Sequence, residues 1–167
     1  ETAIEAAMLA LNMAPGMNRP FAFTAWPWFD EEILKQEKAL AKKQIRTDLE
    51  LDIQGFDIDG KMIEIAKHNA LAAGLSDVIK YKQMRLQDFR TDKLDGVLVS
   101  NPPYGVRLED EEAVAALYGE MGKTFAPLET WSKYILTSDV AFEKHYGAKA
   151  TKKRKLYNGT LRTDLYM

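Results

Sequence analysis

Asn101-Pro102-Pro103-Tyr104 is the run of this sequence best suited to chemistry on a nucleic-acid base. The exocyclic amine of a base is a poor nucleophile because its lone pair is delocalised into the ring, so a catalyst must hold the amine and bias its hydrogens. The Asn101 side-chain carbonyl and the Pro102 backbone carbonyl can each accept one N–H. That draws the nitrogen towards tetrahedral geometry and aims its lone pair at a methyl sulfonium. Pro102 and Pro103 fix the backbone angles, and Tyr104 offers a ring on which an extruded base can lie. Asn101, Pro102 and Tyr104 are therefore the candidate catalytic residues, with Pro103 and Tyr104 as base contacts. Asn and Pro also suit an ordinary strand-ending turn. From typical residue frequencies, however, this tetrapeptide arises by chance in such a chain on the order of one time in a thousand.

A second candidate set lies in Gly55-Phe56-Asp57-Ile58-Asp59. Asp57 is placed at the end of a short strand, where an acidic side chain in open α/β sheets accepts the ribose hydroxyls of a nucleotide-like cofactor. Phe56 and Ile58 can flank an adenine, and Asp59 is read as the N-cap of the helix that follows. Asn101 is counted on this side too, because it holds the amine against the sulfonium. The chain has no Cys, and its two His, at 68 and 145, have no partner at ligand spacing. Neither is read as catalytic, and no metal is expected.

These residues need a sheet to hold them. Ala3 to Ala14 reads as a helix stopped by Pro15-Gly16, and Asp30 as the cap of a helix running to about Arg46. Leu51 to Asp57 reads as a strand, Lys61 to Ala73 as a helix closed by Gly74, and Val78 to Lys82 as a strand. Leu94 to Ser100 is an apolar, β-branched run of the kind found in buried parallel strands, and it ends at Asn101. A helix from about Glu111 to Phe125, a strand from Lys133 to Thr137 and a short helix around Val140 to His145 continue the alternation. Asn158-Gly159 then joins Lys152–Tyr157 to Thr160–Tyr166 as a hairpin. The pattern predicts an α/β fold: a mostly parallel sheet with helices on both faces and a C-terminal antiparallel hairpin.

With 167 residues, 46% of them apolar, the chain can bury one sizeable core, and one domain is expected over residues 1–167. No stretch has the apolar length of a bilayer span, and the N-terminus lacks a secretory pattern, so the expected address is cytoplasmic. A net charge of −2 excludes bulk electrostatics as the means of gripping nucleic acid. Any polynucleotide must meet a local patch.

The longer run Asn101 to Leu108 (NPPYGVRL) resembles the NPPYG-x-R-L element of bacterial methyltransferases acting on guanine N2 of large-subunit ribosomal RNA. The likeness covers nearly the whole chain. It extends through IEAAM at Ile4–Met8, NMAPG at Asn12–Gly16, the FAFTAW stretch, GFDID at Gly55–Asp59 and KRKLYNG at Lys153–Gly159. NPPY alone spans adenine, guanine, cytosine and glutamine methylases, so the longer run carries the assignment. The resemblance implies a Rossmann-like class I methyltransferase sheet, S-adenosylmethionine as cofactor, ribosomal RNA as partner and an N-terminal RNA-binding THUMP domain. It also implies that Asp88 hydrogen-bonds the cofactor's adenine amine. One departure matters: the family's glycine-rich loop of D-P-x-C-G-S-G-T type, after the first strand, is absent. The chain is therefore expected to be a fragment lacking that central strand and the RNA-binding domain, and to bind cofactor poorly by itself.

Between Lys144 and Arg162 lie seven Lys or Arg and no Asp or Glu. Lys152, Lys153 and Arg154 are the candidate phosphate contacts in that stripe, although edge-strand lysines also deter aggregation. The cluster at Trp26, Trp28 and Phe29 is read as packing surface before base clamp. Two readings compete with guanine N2 transfer: adenine N6 transfer on DNA or RNA, which needs the same acceptors, and a catalytically silent methyltransferase fold that binds RNA or protein. A nicotinamide dehydrogenase is remote, because no GxGxxG follows a strand.

Overall fold

The computed structural model describes residues 1–103 and 111–167. Helices and strands follow one another in the order α1 (Thr2–Ala10), α2 (Glu31–Lys43), β1 (Ile53–Asp57), α3 (Gly60–Ala72), β2 (Ile79–Gln83), β3 (Val97–Ser100), α4 (Glu111–Phe125), β4 (Ser132–Thr137), α5 (Phe142–Tyr146), β5 (Lys153–Asn158) and β6 (Leu161–Tyr166). The chain divides into two compact units, Glu1–Met84 and Arg85–Met167. No helix among the described residues is long and apolar enough to cross a membrane.

In the first unit, β1 and β2 pair in parallel with Ile53 beside Ile79 and Asp57 beside Gln83. The crossover between them is α3. Asp59 accepts the Lys61 backbone N–H at 2.8 Å, the expected N-cap. Gly74 closes the helix at φ +72°, with the Leu75 N–H returning to the Ala70 carbonyl. Asp30 caps α2 through the Glu32 N–H. The first helix ends earlier than the Pro15-Gly16 breaker predicts, because Asn12 takes the left-handed conformation at φ +54°. The Met13 N–H then bonds the Met8 carbonyl, a six-residue closure that satisfies the helix end. The core of this unit is Ala7, Leu11, Ala70, Leu75 and Ile79. Gly55 is explained by its cross-strand partner: the Tyr81 ring occupies the space that a Cβ there would need.

In the second unit the strand order is β3-β4-β6-β5. β3 and β4 are parallel, and β6 runs antiparallel to both β4 and β5. The core joins Tyr118, Met121 and Phe125 of α4 with Ile135, Phe142 and Tyr166, and Tyr118 and Thr137 share a buried hydroxyl hydrogen bond of 2.8 Å. Two expectations need correction here. The hairpin turn sits one residue later than Asn158-Gly159, with Gly159-Thr160 between paired Asn158 and Leu161. Gly159 carries the positive φ of +63° and Thr160 does not, the arrangement of a type II′ turn with glycine first. The second concerns β3, which pairs only with β4 among the described residues and is not buried on both faces. Val97 and Val99, which share one face of β3, are 66% and 57% exposed among the described residues.

Candidate functional site

Asn101 leaves β3 directly after Ser100, whose ladder partner is Ile135 of β4. Pro102 is buried, whereas Asn101 and Pro103 on either side are exposed. A buried proline fixes the exit of the chain, and the amide before it is left accessible at the carboxyl end of the strand, where open α/β sheets bind ligands. Tyr104, named above as a catalytic residue and base contact, lies outside the described residues, as does Gly105 to Leu108.

Asp57 ends β1 and is exposed. One of its carboxylate oxygens accepts the Asp59 backbone N–H at 2.8 Å, a turn that pins the carboxylate at the head of α3. The Gln83 side-chain amide donates to the Ile58 carbonyl at 2.9 Å and so braces the same loop from β2. Gln83 was not read from sequence. Its signal was its register opposite Asp57 at the end of the parallel pair. Ile58 is exposed, an apolar side chain displayed beside an acid. An accessible carboxylate with an apolar neighbour at a strand's carboxyl end suits a ribose and its base.

Asp88, in the second unit, sits in a 3-10 turn over Leu86–Asp88. Its carboxylate is gripped by Arg85, with Nε to Oδ2 at 2.8 Å and Nη2 to Oδ1 at 3.2 Å. Those hydrogen bonds hold its carboxyl below the usual carboxylate range. Sequence reading missed Arg85, although its spacing of three from Asp88 within one turn was the available signal. An incoming amine must use the remaining lone pairs of that carboxylate or replace the guanidinium.

Of the basic residues, Lys153 donates to Glu143 of α5 at 2.7 Å, and its ammonium lies 5.2 Å from the Tyr166 ring centroid. It is the fastening between hairpin and helix. Lys152 and Arg154 are exposed and have no ion pair among the described residues. The aromatic segment forms a cluster of its own in the first unit: Phe23 contacts Phe21, Trp26 and Phe29, and Trp28 is left 77% exposed. His145 Nδ1 lies 3.7 Å from Asp139, a pairing sequence reading did not anticipate. No group of three or more His, Cys, Asp or Glu among the described residues could hold a metal.

Parallel β-α units, a closing antiparallel hairpin and an Asn-Pro-Pro run at a strand's carboxyl end define a methyltransferase domain of the Rossmann-like class. The family is more specific: the RMKL-like methyltransferase domain matches residues 2–167, and the chain belongs to it. YpsC of Bacillus subtilis is 49% identical over 164 residues, covering 98% of this chain and 43% of that protein. Ribosomal RNA large subunit methyltransferase K/L of Shewanella amazonensis is 34% identical over 163 residues, covering 95% of this chain and 23% of that one. Among solved structures, SMU.472, crystallised as a complex with SAH, superposes with a TM-score of 0.94 at 60% identity, covering 98% of this chain and 44% of that one. The chain thus spans less than half the length of these relatives.

Proposed function

We propose that the protein containing this chain transfers a methyl group from S-adenosylmethionine to the exocyclic N2 of a guanine in large-subunit ribosomal RNA, in the cytoplasm. The observation that carries the reading is the exposed Asn101 amide held by a buried Pro102 at the end of β3. Similarity to a ribosomal RNA large subunit methyltransferase supports the choice of substrate, and the SAH complex of SMU.472 supports the choice of cofactor.

S-adenosylmethionine, when bound, supplies an electrophilic methyl on its sulfonium. The chain's own residues do the rest. Asp57 accepts the ribose hydroxyls and Ile58 covers the adenine face, while Asp88 accepts the adenine amine. Asn101 Oδ1 and the Pro102 carbonyl accept the two N–H groups of the target amine, which localises its lone pair and orients it for in-line attack. Pro103 and Tyr104 bound the flipped base, and Lys152 and Arg154 contact phosphates.

The test is product analysis. The full-length protein is incubated with S-adenosylmethionine and either unmodified large-subunit ribosomal RNA or DNA, and the nucleosides are resolved by mass spectrometry. N2-methylguanine in the RNA is expected. N6-methyladenine as the sole product would transfer the assignment to adenine, and RNA binding with no methylation of either polymer would leave a silent binding fold.

A further inference from the structure

The β5–β6 hairpin reaches past the same sheet edge at which Asn101 emerges. Ser100 is level with Ile135, Ile135 is level with Tyr166, and Tyr157 stands opposite Arg162. Because β6 runs antiparallel to β4, going back along it from Tyr166 to Arg162 moves four residues beyond the level of Ser100, about 13 Å at the strand rise. Three inter-strand spacings separate β3 from β5, about 14 Å sideways. The Tyr157–Arg162 pair therefore overhangs the carboxyl edge, within reach of a strand of nucleic acid whose target base lies at Asn101.

The two ends of the hairpin differ in character. Alternation puts Lys153, Lys155 and Tyr157 of β5 on one face, together with Arg162, Asp164 and Tyr166 of β6. At the base of the hairpin, charge is matched internally: Lys153 is tied to Glu143, and the buried Tyr166 packs on Phe142. Towards the tip, Tyr157 is 66% exposed, with the Arg162 guanidinium across from it, 3.1 Å from Asp164. Lysines on an edge strand are accounted for by protection against strand-to-strand association. A bare aromatic ring at the tip has the opposite effect and needs another reason. A π-face that shares its side of the hairpin with Lys155 and with Arg162, the latter paired with Asp164, suits a nucleobase whose flanking phosphates compete for that guanidinium, and the stripe from Lys144 to Arg162, free of acids in sequence, matches a polyanion.

We propose that Tyr157 is a stacking platform for a nucleotide flanking the modified one in single-stranded RNA, with Arg162 and Lys155 on its phosphates. The inference rests on the RNA reading above and adds the residues that select an unpaired neighbour. It is tested in the full-length protein by fluorescence titration of a single-stranded RNA oligonucleotide carrying 2-aminopurine, with no methyl transfer involved. Tyr157→Ala is expected to weaken binding about tenfold and to abolish the stacking change in 2-aminopurine emission. Tyr157→Phe should stay within about twofold, and Arg162→Gln should reduce the salt dependence by about one counterion. A melting temperature equal to the parent's shows that Tyr157→Ala still folds, as its exposure predicts. Parental affinity in Tyr157→Ala would overturn the platform, as would an equal loss in Tyr157→Phe or tighter binding of single-stranded DNA of the same sequence. Because binding is read alone, a parent that binds RNA through Tyr157 but methylates nothing sinks the catalytic reading and leaves the platform standing.

Discussion

Asn101 and Asp57 carry different parts of the free-energy profile, and their variants should separate. Truncating Asn101→Ala removes an acceptor that matters most as the amine loses its planarity. The turnover number should therefore fall by about 10²–10³-fold while cofactor affinity is kept; isothermal titration with S-adenosylhomocysteine beside single-turnover kinetics checks both halves. Asp57→Ala removes a charged acceptor and the turn to the Asp59 N–H. Cofactor affinity should drop by tens-fold, the scale of one charge-assisted hydrogen bond, and an unchanged dissociation constant would remove Asp57 from the site. Asp88 adds a pH dependence. Hydrogen bonding from Arg85 depresses its folded-state pKa, so the ionised form, and any stability it confers, is present above the unfolded pKa and lost only as pH falls through the lower folded value. In Arg85→Met that loss should begin at higher pH, as Asp88 returns to the usual carboxylate range. Carboxyl-carbon chemical shifts across an acid titration would show it, and coincident curves for parent and variant would mean the fork is not formed in solution.

The elements that hold these residues were legible wherever local chemistry decided them. Asp30 and Asp59 announced their helices as N-caps, Gly74 announced an end, and the helix read from about Glu111 to Phe125 agrees with α4. What escaped depended on which of several possible partners each group takes, near or far in sequence. Asn12 ends α1 in a left-handed turn while its side-chain amide bonds the Gln44 carbonyl, 32 residues away. The hairpin register moved by one because Gly159 in a type II′ turn satisfies the ladder as well as Asn-Gly in a type I′ turn would. Arg85 on Asp88 and Lys153 on Glu143 are charge pairings that composition permits but does not select. Packing of α4 on α5 shows the same dependence: a Cβ at Gly122 would run into the Tyr146 carbonyl. Gly122→Ala gains up to about 1 kcal/mol of helix propensity but must push α5 away. A net destabilisation of about 1–3 kcal/mol is expected from denaturant unfolding, and a midpoint at or above the parent's would mean that the helices have room to part.

For the molecule as a whole, the question is what covers the apolar surface that its two sheets leave open. β1 is paired on one side by β2 and β3 on one side by β4, and no further ladder partner exists for either among the described residues. Phe56 of β1, Val97 and Val99 of β3, and Met62 and Ile65 of α3 remain exposed. YpsC and SMU.472 are each more than twice as long as this chain, and in a protein of that length further chain is expected to cover these side chains. In hydrogen exchange, the backbone amides of β1 and β3 should exchange at least tenfold faster in the 167-residue chain alone than in the full-length protein, because an unpaired edge opens locally at little cost. The expectation of a fragment carries a second prediction, that cofactor affinity falls in parallel in the 167-residue chain alone. Equal protection of β1 and β3 in both, with equal cofactor affinity, would mean that these edges are complete as they stand.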